Sequence, residues 1–143
     1  MTQFPHDNFV KEYLPELCND YGTATPSLDV KSETRQIDVF FVPDKPVPTT
    51  PETLGLFGKL LQQTCLLEVY RNPVQPPQIR ECISKLFSVH ENESRKAKRE
   101  KFPLNSSQLP ILWILSPTVS ANTLEEFNAI AKGDWVEGVY FPP

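Results

Sequence analysis

TCLLEVYRNP, residues 64–73, is a short run of mostly apolar side chains with a single carboxylate, Glu68, set in its middle. Runs of this kind are buried on both faces, as in the centre of a sheet covered by helices. An uncompensated carboxylate is costly in such a place, so a partner is expected. Asp38, in RQIDVFFVP (residues 35–43), is the other acid set inside a strongly β-like apolar run. Two carboxylates on neighbouring core strands suggest a divalent-metal site. The alternative is a protonated or arginine-paired Glu68 with a purely structural role.

The flanking sequence supplies an α/β pattern. Asp7 or Asn8 can cap a first helix whose stripe is Phe9, Tyr13, Leu14, Leu17, Cys18 and Tyr21, broken near Pro15. Residues 23–31 and 35–42 read as a hairpin turning at Ser32-Glu33. Thr50-Pro51 opens a helix to Gln63, weakened by Gly55 and Gly58. Residues 76–101 form the clearest helix, with Ile79, Cys82, Ile83, Leu86, Phe87 and His90 as its stripe. His90, at the end of that stripe, reads as a half-buried, satisfied histidine. LPILWIL (109–115) reads as a second strand buried on both faces. Ser120 or Asn122 starts a helix through Ile130, Lys132-Gly133-Asp134 turns, and Trp135 to Phe141 is a last strand. Helices between consecutive buried strands predict one α/β domain over residues 1–143, with a mixed central sheet flanked by helices.

Composition narrows the function classes. A chain of 143 residues suits a single core, and no apolar run approaches the ~20 residues of a membrane span. MTQFPHDNF has neither the basic start nor the apolar centre of a secretory leader. Cys18, Cys65 and Cys82 show no metal spacing, which predicts reduced, buried thiols and a cytoplasmic location. A net charge of −4 argues against coating nucleic acid non-specifically, yet leaves room for a local basic groove. The fifteen prolines gather in connections and delimit the elements.

The residues support metal or phosphate binding better than a complete nuclease centre. Metal-dependent phosphodiester cleavage uses carboxylates to hold Mg²⁺, usually beside a lysine. On a strand, the residue two positions after Glu68 shares its face, and here that residue is Tyr70. Arg71 alternates to the opposite face unless the strand bulges before Asn72-Pro73. The run Arg95, Lys96, Lys98, Arg99 suits a solvated helix end and could also contact phosphates. No phosphate loop, G-x-S-x-G elbow, dinucleotide fingerprint or zinc spacing is present.

The first helix, the IDVFF strand and the EVYRNP strand, in that order, resemble the PD-(D/E)XK nuclease superfamily with its restriction-endonuclease-like fold. HDNFVKEYL, RQIDVFFVP, LGLFGKL, LLEVYRNPV, IRECISKL, LPILWILSPT and GVYF look more closely like an uncharacterised cyanobacterial protein group related to recombination-promoting nucleases and transposase-like proteins. The resemblance implies a restriction-endonuclease-like fold, in a C-terminally shortened version. It implies Mg²⁺ or Mn²⁺ held by Asp38 and Glu68, and a catalytic set of Asp38, Glu68, Tyr70 and Arg71, with Tyr70 standing where the motif has lysine. Glu12 matches a helical acid that some members use, and Arg80 is the expected cation from the following helix. Arg71, Arg80, Arg95, Lys96, Lys98 and Arg99 are the expected nucleic-acid contacts, and DNA and a second copy of the chain the expected partners. Two functions follow as expectations: a metal-dependent DNA nuclease, degenerate at Tyr70, or a non-catalytic nucleic-acid- or protein-binding module on the same fold.

Overall fold

Four strands form the main sheet in the order β1-β2-β3-β4, namely β1 (Gly22–Asp29), β2 (Gln36–Pro43), β3 (Cys65–Val69) and β4 (Ile111–Leu115). The computed structural model describes residues 9–29, 36–50, 54–105 and 108–142. β1 and β2 form the expected antiparallel hairpin. Its turn at Ser32-Glu33 lies outside the described residues, as do Asp7, Asn8 and Pro51. β2 pairs antiparallel with β3, and β3 pairs parallel with β4, so the sheet is mixed. A parallel pair needs a long crossover, and the helix α3 (Pro76–Glu100) supplies it.

Strand alternation sorts the core into two layers. Cys65 and Leu67 join Val39 and Phe41 on one face, against Val10, Leu14 and Cys18 of the N-terminal helix. Leu66 faces the other way, towards Leu86 and Val89 of α3, with Phe40 and Leu112 beside it. Because β3 is covered on both faces, four of its five residues are buried, which explains its unbroken apolar sequence. The N-terminal helix changes pitch where a break is expected. A π-helical turn at Phe9–Tyr13 leads into α1 (Leu14–Asn19), and Pro15, which has no N–H to donate backwards, sits in the first turn of α1.

Four expectations are corrected. The helix over residues 51–63 shrinks, among the described residues, to α2 (Leu56–Leu60), because Gly55 at φ 54° sets a left-handed start. The LPILWIL strand exists, but all five residues of β4 are only half-buried, since β4 is the sheet's edge. The helix capped by Ser120 is α4 (Ala121–Glu126), ending before Asn128 at φ 51°, so Ile130 is not helical. The last strand is only β6 (Tyr140–Phe141), paired with β5 (Ile130–Ala131) in a separate two-stranded sheet. Trp135 instead packs on Trp113 of β4 and on Phe141, with ring centroids 5.4 and 5.3 Å apart. No helix among the described residues is long and apolar enough to cross a membrane.

Candidate acid–lysine centre

The register of the two central strands brings the acids together. Val39 pairs with Leu67 and Phe40 with Leu66, so continuing the antiparallel ladder by one residue sets Asp38 opposite Glu68. Asp38 Oδ2 accepts a hydrogen bond from the Val69 N–H at 2.9 Å, taking the place of a ladder carbonyl. Glu68 shares the face of Leu66, directed at α3, and is only 2% exposed. Asp38 is half-buried.

The cation beside this pair is Lys85, which sequence reasoning missed. Its Nζ lies 3.4 Å from Glu68 Oε1, and both side chains are buried. That distance is long for a charge-assisted hydrogen bond, so the contact is a loose ion pair. Glu68 is the only acceptor within hydrogen-bond reach of Nζ among the described residues. An ammonium carries three donors, so two of them are left for another group. A signal for Lys85 was present. Cys82, Lys85 and Val89 follow the three-and-four spacing of one helix face, and all three are buried. The stripe through Ile79, Cys82, Ile83, Leu86, Phe87 and His90 shares Cys82 with that face but is centred roughly a quarter turn away, and Phe87 is 63% exposed.

Burial pushes the Glu68 carboxyl up to about 7, and the neighbouring Asp38 charge adds to the rise, while Lys85 opposes it by charge and hydrogen bond. At neutral pH Glu68 is therefore poised between holding a proton and facing a cation. Tyr70 also faces α3. Its hydroxyl lies 3.1 Å from Cys82 Sγ, and burial, followed by that contact, pushes its pKa up. So placed, Tyr70 braces β3 against α3 and does not replace a lysine. Burial pushes Cys18 and Cys65 up to about 12 and Cys82 up to about 11, so none of the three is a ready nucleophile.

The other candidates lie elsewhere. Arg71 is exposed beyond the end of β3. Arg80, the expected cation from α3, is exposed and pairs with Glu126 at 3.1 Å; Lys85 occupies the position by Glu68. Glu12 is exposed on the N-terminal helix, which covers the opposite face of the sheet from Glu68. His90 Nε2 donates to the Pro110 carbonyl at 2.6 Å, fixing α3 just before β4 begins. Beyond that point α3 runs past the start of the parallel strands. Arg95, Lys96, Lys98 and Arg99 therefore lie about 15–21 Å along the helix from Lys85 and are exposed. An open cleft of about 560 Å³, between the starts of α3 and α4 and lined by Gln75, Ser120, Asn122 and Glu126, excludes the acid pair.

Two carboxylates are a small donor set. Among the described residues no group of three or more His, Cys, Asp or Glu is arranged to hold a metal ion. The hard oxygens of Asp38 and Glu68 fit Mg²⁺ or Mn²⁺, which keep several waters and need only one or two carboxylates. They do not fit a closed zinc cage. No family model, no curated protein and no solved structure matches the chain.

Proposed function

We propose that Asp38, Glu68 and Lys85 form a divalent-metal-dependent, nuclease-like centre acting on DNA phosphodiesters. The observation that carries the reading is Lys85, a buried ammonium 3.4 Å from Glu68 with no second acceptor among the described residues. It supplies from α3 the lysine that β3 lacks at Tyr70. Asp38 and Glu68 would hold Mg²⁺ or Mn²⁺, which there would neutralise charge on the reacting phosphate. Lys85 has donors to orient a water or a phosphate oxygen beside the carboxylates. A substrate would enter from the side of Asp38, which is half-buried where Glu68 is closed off. The resemblance to the PD-(D/E)XK superfamily agrees with this set in its two acids and departs from it at Tyr70.

One observation favours a second reading. The Glu68–Lys85 pair is closed from solvent, as in a fold that retains its ion pair only as part of the core and serves as a binding module. A nicking assay on supercoiled DNA with Mg²⁺ or Mn²⁺ separates the two. The nuclease reading expects cleavage by the wild type and its loss in Asp38→Ala and Lys85→Met. A wild-type protein that binds DNA without cutting it supports the module. Cleavage that survives both substitutions assigns the activity to another site or to a contaminant.

A further inference from the structure

The last turns of α3 form an arm whose chemistry the acid centre does not use. The face that buries Cys82, Lys85 and Val89 continues at the same three-and-four spacing as Asn92, Lys96 and Arg99, and Lys96 and Arg99 are exposed. Residues 95–101 hold five basic side chains against one acid. Arg95 is partly neutralised by Glu91, one turn back. Lys96, Lys98, Arg99 and Lys101 make no ion pair among the described residues. The arm is thus a concentrated positive charge on a chain whose net charge is −4.

The arm ends in a fixed aromatic. Lys101 takes the left-handed conformation at φ 58°, where glycine is usual, and its N–H reaches the Lys98 carbonyl at 3.3 Å. The Phe102 N–H reaches the Ala97 carbonyl at 3.0 Å, which completes a Schellman motif. The apolar residue after such a cap ordinarily folds back onto the helix. Here Ala97 offers it little surface, and Phe102 is 69% exposed. A hydrogen-bonded backbone thus holds an open ring at the end of an arm that carries four cations.

We infer that the arm is a contact surface for single-stranded nucleic acid, with Lys96, Lys98, Arg99 and Lys101 on its phosphates and Phe102 stacked on a base. Lys96 and Arg99 lie about one helical turn apart on one side, a span comparable to the spacing of successive phosphates, and Lys98 lies about 200° round the helix, so a strand reaches all four cations by wrapping the end of the arm. An acidic protein would satisfy the charges but would have no use for the ring. A duplex would satisfy the charges and hide its bases. Single strands combine backbone charge with open base faces, and proteins that bind them pair cations with aromatic platforms. The inference goes beyond the proposed hydrolysis and does not rest on it.

The test is fluorescence anisotropy with a labelled single-stranded 20-mer in EDTA, where metal-dependent cleavage cannot interfere. The wild type should bind with a log–log salt slope of about −3, as four phosphate contacts give. Lys96→Gln with Arg99→Gln should roughly halve that slope, and Phe102→Ala should weaken binding by about tenfold with the melting temperature unchanged. Absence of wild-type binding at low salt would overturn the inference. Equal binding of duplex or polyglutamate, with Phe102→Ala silent, would overturn it in favour of another anionic partner. Loss of nicking in Asp38→Ala with oligonucleotide binding intact would support both readings separately. Binding by a wild type that never cuts would support the arm and defeat the nuclease.

Discussion

Replacing Lys85 by methionine keeps most of the side-chain volume and removes the cation next to Glu68. The penalty must depend on pH, and its size can be worked from the pair. The Glu68 carboxyl sits at about 7 in the folded protein against an ordinary value of 4.5. Its folded pKa is raised, so the folded state holds the extra proton, and stability falls as pH rises from about 4.5 to about 7. Without Lys85 the carboxyl rises further, because the stabilising charge is gone while burial and Asp38 remain. Below pH 7 the proton is already present in both proteins, and Lys85→Met costs little through Glu68; relief of the buried ammonium works in its favour. Above pH 7 the variant must either hold the proton against the solvent or bury a bare charge. The first route caps the loss at about 1.4 kcal/mol per pH unit, hence about 2 kcal/mol at pH 8.5. For a domain of this size that lowers Tm by roughly 6 °C. Chemical denaturation at pH 6 and pH 8.5 gives the difference directly. A penalty equal at both pH values would refute the pairing of Lys85 with an ionised Glu68.

Millimolar Mg²⁺ or Mn²⁺ should raise the wild-type melting temperature by binding the folded state, and Glu68→Ala should abolish the rise. The rise should be larger at pH 8 than at pH 6, because a proton on Glu68 competes with the metal below about 7. Arg71→Ala should change stability by about 1 kcal/mol or less, as an exposed arginine does; a loss of 3 kcal/mol or more would make Arg71 a core cation. Gly58→Ala should be destabilising by roughly 2 kcal/mol or more, since a Cβ there would come within 1.9 Å of the Pro48 carbonyl oxygen. Thermal melting that leaves Gly58→Ala at wild-type stability would contradict the close approach of that loop.

The parts of the fold legible in the sequence are those where one physical pattern dominated. β3 reads as a both-faces-buried strand because Cys65 to Glu68 are indeed enclosed from both sides. α3 reads cleanly because its length and apolar spacing agree, although its inward face is centred away from the middle of the stripe. Apolar weight pulls the inward face towards Phe87, and the weaker Cys82–Lys85–Val89 spacing is passed over because a lysine on an inward face makes sense only once Glu68 is known to lie across from it. β4 looks like a central strand because Trp113 and its neighbours are large. Its edge position follows from sheet order, which spacing cannot supply. The pairing of Asp38 with Glu68 was legible from two acids in β-like runs, whereas the origin of their cation was not.

The parallel pairing of β3 with β4 governs how the molecule assembles. Asp29 meets Gln36 across a separation of only seven positions, so the β1–β2 hairpin closes a short loop. Cys65 meets Ile111 only after a loop of about 46 positions closes, and the entropy of that closure precedes its reward. Loop-closure entropy therefore predicts that the crossover through α3 forms last. In that order Glu68 would stay in water as an ordinary acid until α3 docks. Lys85 reaches it in the same event that buries Val89. The ion pair thus reports completion of the crossover, and amide exchange along β4 should be the first to quicken when that crossover loosens.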